Sequence, residues 1–139
     1  GIAVSVPGGL VVPVIRDADR RSLTELHDAA VRLVEGARAG RLGPDELSGS
    51  TFTISNMGMF GVEQFTAIVN PGESGILAVS SVLPTPVAIG DGLAVRQVMR
   101  LTLTADHRLV DGELGARFVN AVRRRLEDVP AWRAAATAD

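Results

Sequence analysis

A change of period near one end of this 139-residue chain constrains its fold more than any other feature. Met99-Arg100-Leu101-Thr102-Leu103-Thr104-Ala105 alternates apolar and polar residues, the pattern of a strand with one buried face. After Gly112 the apolar residues Leu114, Phe118, Val122 and Leu126 fall four apart, which is the stripe of an amphipathic helix. Between the two lies Asp106-His107-Arg108-Leu109-Val110-Asp111-Gly112, a short connection held by a rigid element on each side, where functional side chains concentrate. His107 with a carboxylate four residues on, Asp111, is one way to build a lone general base. A structural hydrogen-bonding pair is the commoner explanation of the same spacing.

Upstream, Ile2–Val6 and Leu10–Ile15 are strand-like runs joined by the turn signal Pro7-Gly8-Gly9. Ser22-Leu23-Thr24-Glu25 is a capping-box pattern opening a helix whose apolar face is Leu23, Leu26, Ala30, Leu33, Val34 and Ala37, with Gly40 as its stop. His27 falls at the rim of that face. Pro44, Asp45 and Glu46 form the first turn of a short helix. Thr51–Asn56 is a strand with Phe52 and Ile54 on one side and Thr51, Thr53 and Ser55 on the other, so a polar face on a central strand needs an explanation. Gly75–Val82 is an apolar strand ended by Pro84 and Pro86, and Gly90-Asp91-Gly92 turns the chain from Val87-Ala88-Ile89 into one long strand from Leu93 towards Ala105. Met57-Gly58-Met59-Phe60-Gly61 sets large apolar groups on a glycine-rich loop, for packing or for an apolar surface. Arg123-Arg124-Arg125 is a solvated helix end, Trp132 docks the tail on this domain or a neighbour, and Ala134–Asp139 is expected to fray. The class is α+β, a mixed and mainly antiparallel sheet packed against helices.

Composition narrows the function. A 46% hydrophobic chain of this length carries enough apolar material for one domain core. A net charge of −2 with interspersed signs and 4% aromatic residues supply neither a phosphate-tracking stripe nor a base-stacking platform, so nucleic acid is not an expected partner. No apolar run reaches the roughly 20 residues of a membrane span, and none of the chain resembles a leader. The absence of Cys excludes disulfides and thiol nucleophiles and fits a cytoplasmic setting. All fourteen cationic side chains are Arg.

Three ordered blocks carry a family likeness. Asp106-His107-Arg108 with Asp111-Gly112 resembles the active-site signature of the dihydrolipoamide acyltransferases, the core components of 2-oxo acid dehydrogenase complexes. Gly49–Gly61 followed by Phe65-Thr66-Ala67-Ile68-Val69-Asn70-Pro71 is similar to a second block of that family, and Gly9–Asp19 to a third, so the likeness runs from Gly1 to about Pro130. Chloramphenicol acetyltransferase and peptide-synthetase condensation domains share a related motif, typically with a second histidine just before the first. Asp106 stands there instead, which favours the dihydrolipoamide branch.

The resemblance implies a chloramphenicol acetyltransferase-like fold and reversible movement of an acyl group between the thiols of dihydrolipoamide and coenzyme A. Acetyl is favoured, with branched-chain and succinyl groups as alternatives. It implies that His107 is the general base, that Ser55 stabilises the oxyanion, and that the two come from adjacent subunits of a trimer. A thiol near pKa 8.5 losing its proton to an imidazole near 6.5 is about 2 units uphill, roughly 2.7 kcal/mol, within a histidine's reach. Asp111, Asp106 and Arg108 have supporting roles as a loop holder and an ion pair or backbone clamp. No metal is called for, and no coenzyme A contacts are assigned. By the same likeness residues 1–139 form the C-terminal part of the catalytic domain, without its upstream part or the lipoyl and peripheral-subunit-binding domains. With no Lys, the chain cannot carry its own lipoyl group. The implied partners are copies of itself, in a trimer or a larger cubic or dodecahedral core, the lipoyl domain, and the decarboxylase and dihydrolipoamide dehydrogenase components. A scaffold homologue that assembles without turnover is the competing reading; retention of both Ser55 and His107 argues against it.

Overall fold

Two alternating segments and one apolar run become one mixed sheet in the computed structural model, which describes residues 1–136. A short hairpin comes first, β1 (Val4–Val6) and β2 (Gly9–Val11), closed by Pro7 and by Gly8 at φ 90°, a value that a side chain would resist. The long helix α1 (Leu23–Arg38) follows, opened by the expected capping box: Glu25 N donates to Ser22 Oγ at 3.2 Å and Ser22 N to Glu25 Oε2 at 2.8 Å. Strands β3 (Phe52–Asn56) and β4 (Gly75–Val79) pair in parallel, and β7 (Leu101–Ala105) pairs antiparallel with β4. Between β4 and β7 a separate ribbon is formed by β5 (Leu83–Ile89) and β6 (Gly92–Val98). Helix α2 (Gly112–Glu127) and the shorter α3 (Val129–Ala136) complete the described chain.

The register sorts the sheet into two faces, because paired residues project to the same side. Thr53 lies opposite Ile76 and Thr104, and Ser55 opposite Ala78 and Thr102, giving one face with four hydroxyls. Phe52, Leu77 and Leu103 form the other, against which α2 packs: the Phe52 and Phe118 rings meet edge to face at 5.5 Å. Gly75 is required at that junction, since a Cβ there would stand 3.0 Å from the Thr104 carbonyl and 3.3 Å from the Phe52 ring. The apolar interior comprises Val4, Leu33, Ala37, Ile76, Leu77 and Ala78, with Pro13 also fully buried.

Several sequence expectations change. Pro84 and Pro86 do not end a strand but lie inside β5. They occupy alternate positions, opposite Gln97 and Val95, so both missing N–H groups fall on one edge of a two-stranded ribbon, where no ladder bond is lost. The single strand from Leu93 to Ala105 is two strands in different sheets. At the break, buried Ser80 accepts from Arg100 N at 2.7 Å and donates its own N–H to the Arg100 carbonyl at 3.1 Å. The second hairpin strand is shorter than Leu10–Ile15. Ala134–Ala136 are helical rather than frayed, and the rest of the tail lies outside the described residues. Trp132 docks on its own domain, its Nε1 donating to the Arg125 carbonyl at 2.7 Å beneath the Arg125 guanidinium, 5.6 Å from the ring centroid. Among the described residues no helix is long and apolar enough to cross a membrane.

Leu33, 1% exposed on α1, anchors that helix. Leu33→Ala should cost about 2–5 kcal/mol, read as a lowered urea midpoint with unchanged slope.

Candidate active site

Strand β7 delivers the chain to His107 through a tight turn built on Asp106. The Asp106 N–H donates to the Ser74 carbonyl at 3.0 Å, and the Asp106 carbonyl accepts from both Leu109 N and Val110 N at 2.9 Å. The Asp106 carboxylate accepts from Arg108 three ways: from its backbone N at 3.0 Å, Nε at 2.9 Å and Nη2 at 2.6 Å. This clamp closes around His107 from both neighbours. The side-chain hydrogen bonds from Arg108, reinforced by the Arg108 backbone N–H, hold the Asp106 carboxyl down at about 2 and raise the Arg108 guanidinium.

Asp111 is the N-cap of α2, accepting from Leu114 N at 2.8 Å. Its carboxylate is engaged by the helix rather than by the imidazole. It therefore ties the far end of the loop to α2. His107 is exposed and borders a shallow groove of about 450 Å³ with Gln64, Leu101, Leu103, Val110 and Gly115.

Ser55 is half-buried near the end of β3, on the hydroxyl-bearing face. The turn after it is fastened by its backbone: Gly58 N donates to Asn56 Oδ1 at 2.8 Å, Met57 N to the Val79 carbonyl at 3.0 Å, and Ser81 Oγ to the Gly58 carbonyl at 2.9 Å. Met59 and Phe60 are 69% and 70% exposed, so this loop does not pack inside the chain. Ser55 and His107 are not brought together within one chain. Ser55 stands in register with Thr102, and the strand runs three residues further to Ala105 before His107 is reached. At about 3.4 Å per residue and about 4.8 Å per strand, the Ser55 and Ala105 backbones are roughly 14 Å apart. The groove at His107 lies along the free edge of β7 beside α2, on the far edge of the sheet from β3, which carries Ser55.

A third cluster escaped the sequence reading. Thr53 Oγ1 donates to Glu73 Oε1 at 2.8 Å, and Asn70 Nδ2 donates to Thr53 Oγ1 at 3.1 Å and to Glu73 Oε1 at 3.0 Å. The polar face of β3 was its only signal. His27 is exposed beside Leu23, Leu26, Phe52 and Ile54 on a groove of about 890 Å³, away from His107. Among the described residues no group of three or more His, Asp or Glu side chains is arranged to hold a metal.

Because the folded-state value of Asp106 is depressed, its stabilising effect is full above the ordinary carboxylate range and is lost as pH falls from about 4 to about 2. The stability difference between the wild type and Asp106→Asn, followed by denaturant titration, should therefore shrink across that window.

The comparisons fit this geometry. The family model for the 2-oxoacid dehydrogenases acyltransferase catalytic domain matches residues 1–133. The dihydrolipoyllysine-residue acetyltransferase component of the acetoin cleaving system of Bacillus subtilis is 47% identical over 92% of this chain and 32% of its own length. The solved dihydrolipoamide acetyltransferase of Azotobacter vinelandii superposes with a TM-score of 0.88 at 44% identity, over 94% of this chain and 54% of that one. The cubic core of a pyruvate dehydrogenase multienzyme complex also superposes at 0.88, with 43% identity over 94% of this chain and 54% of that one. In the Azotobacter protein a serine, a histidine and an asparagine were investigated for roles in catalysis; the first two are 52 residues apart and the asparagine follows by four. Ser55 and His107 have the same separation, with Asp111 in the third place. The chain spans about half of the solved catalytic cores and about a third of the curated relative. It belongs to the 2-oxo acid dehydrogenase acyltransferase catalytic-domain family, with the chloramphenicol acetyltransferase-like fold.

Proposed function

We propose that this chain is the C-terminal part of a catalytic domain that transfers an acyl group, acetyl by preference, between dihydrolipoamide and coenzyme A. His107 takes the proton from the attacking thiol and returns it to the leaving thiolate, while the Ser55 hydroxyl donates to the oxyanion of the tetrahedral intermediate. No covalent enzyme intermediate is needed, since the attacking and leaving groups are both thiols. Asp106 and Arg108 hold the loop that presents the imidazole, and Asp111 ties it to α2. The separation of Ser55 and His107 within one chain, on strands at the two edges of one sheet, carries the reading that a working site pairs Ser55 of one copy with His107 of the next.

A homotrimer supplies such pairs around its axis, and larger cores assemble from trimers. The exposed Met59 and Phe60 then serve as thiol-channel lining or as a subunit contact. The lipoyl group arrives on a separate domain, with coenzyme A as the second substrate. The decarboxylase and dihydrolipoamide dehydrogenase components join through regions outside this segment, in the cytoplasm. The 47% identity to an acetyltransferase component supports acetyl as the favoured group.

The direct test is a panel of coenzyme A thioesters with dihydrolipoamide on the full-length protein; acetyl-coenzyme A should turn over fastest, and turnover of none would refute the reading. In the same protein His107→Ala should lower kcat by about 10² to 10⁴ with assembly intact. Ser55→Ala should lower it by about 10² to 10³ with KM for coenzyme A little changed, because the hydroxyl acts on the intermediate. Equal losses in binding and turnover would make Ser55 a ground-state contact instead.

A further inference from the structure

The segment that returns from β3 to β4 ends in a buried carboxylate that the proposed chemistry does not use. Glu73 is 5% exposed and Thr53 wholly buried. Glu73 Oε1 receives both the Thr53 hydroxyl and the Asn70 amide, whereas Oε2 is buried without a hydrogen-bond partner. The Ser50 hydroxyl faces this carboxylate and also lies 3.2 Å from the Phe52 carbonyl. Burial pushes the Glu73 carboxyl up, but the polar side chains of Ser50, Asn70 and Thr53 outweigh it and bring the group below its ordinary value. A carboxylate kept at this depth for packing alone would be costly.

Its position relative to Ser55 explains the arrangement. Thr53 and Ser55 are two apart on one strand and share a face. The crossover leaves β3 just after Ser55, fastened at Gly58, and comes back beneath Thr53, fastened by Asn70 and Glu73. Ser55 therefore sits between two anchors of the same loop. Along the rest of the strand, backbone pairing to β4 and to Gly1 and Ala3 fixes the main chain. The Thr53 hydroxyl ties the polar face of the strand to the returning crossover. We propose that Glu73, acting with Asn70 through Thr53, is a positioning residue that sets the direction of the Ser55 hydroxyl. This rests on the acyl-transfer reading of Ser55.

Two variants and one double variant test it in the assembled full-length protein. Glu73→Gln retains the Oε1 acceptor for Thr53 and Asn70, and should keep kcat within about twofold of the wild type. Glu73→Ala removes the acceptor and should lower kcat by about 10- to 100-fold at unchanged KM for coenzyme A, the scale of a misplaced reacting group. In a Ser55→Ala background, Glu73→Ala should cost almost nothing more, because both changes remove the same oriented hydroxyl. A loss that multiplies with that of Ser55→Ala would overturn the inference and make Glu73 a general structural residue. Amide hydrogen exchange gives a readout independent of turnover: Thr53–Met57 should exchange faster in Glu73→Ala but not in Glu73→Gln. If the wild type transferred no acyl group, the functional reading would fail by itself, and unchanged exchange in Glu73→Ala would sink the anchoring claim separately.

Discussion

The parallel pairing of β3 with β4 is the constraint on which the rest of this structure depends. Two parallel neighbours cannot be joined by a tight turn, so the chain between Asn56 and Gly75 must cross back over the sheet. That crossover allows four hydroxyl-bearing residues to share one face, because Asn70 and Glu73 return to satisfy the deepest of them, Thr53. It also fixes where the candidate catalytic groups lie. Ser55 is on the crossover face near the exit of β3, and His107 follows the strand that runs the other way, so each is rigidly held and the two are separated.

Rigidity at the histidine has a different source from rigidity at the serine. Around His107 it is electrostatic and local: a bidentate Asp106–Arg108 pair spanning two residues, followed by a carboxylate cap on α2. The Arg108 side chain is largely exposed, so solvent screens the pair and weakens its effect on stability, and it also sets the shape of the loop. Around Ser55 the hold is a buried network in which the Thr53 hydroxyl and the Asn70 amide meet at Glu73 Oε1, while Glu73 Oε2 and the Thr104 hydroxyl on the same face are buried without a partner among the described residues. A loop clamp leaves the imidazole exposed to a partner, while a strand-borne serine stays half-covered.

Much of this was legible in the sequence wherever a short-range pattern dictates structure. The capping box at Ser22, the four-residue stripe of α2 and the alternation of β7 all became the elements they predicted, because each depends on neighbours within a turn or a strand. Pro84 and Pro86 misled, since proline stops an interior strand but is tolerated on the open edge of a ribbon, and edge position is decided by tertiary pairing. The division between β6 and β7 was hidden for the same reason: the alternation runs on through Met99 and Arg100, and only Ser80, twenty residues earlier, marks the break. The site residues were visible through motif likeness, but their separation was not. It follows from a register between Ser55, Ala78 and Thr102 that no local pattern encodes.

A site shared between copies is the central claim, and subunit complementation measures it most directly. Full-length Ser55→Ala and His107→Ala proteins, each nearly inactive, would be unfolded, mixed in equal amounts and reassembled, and acyl transfer to coenzyme A compared with that of each variant reassembled alone. Random mixing in a ring gives about one site in four an intact serine from one copy and an intact histidine from the next, so about a quarter of wild-type activity should return. Mixed assemblies that form, verified by mass, yet recover no activity would contradict the account and place both residues of each site in one chain.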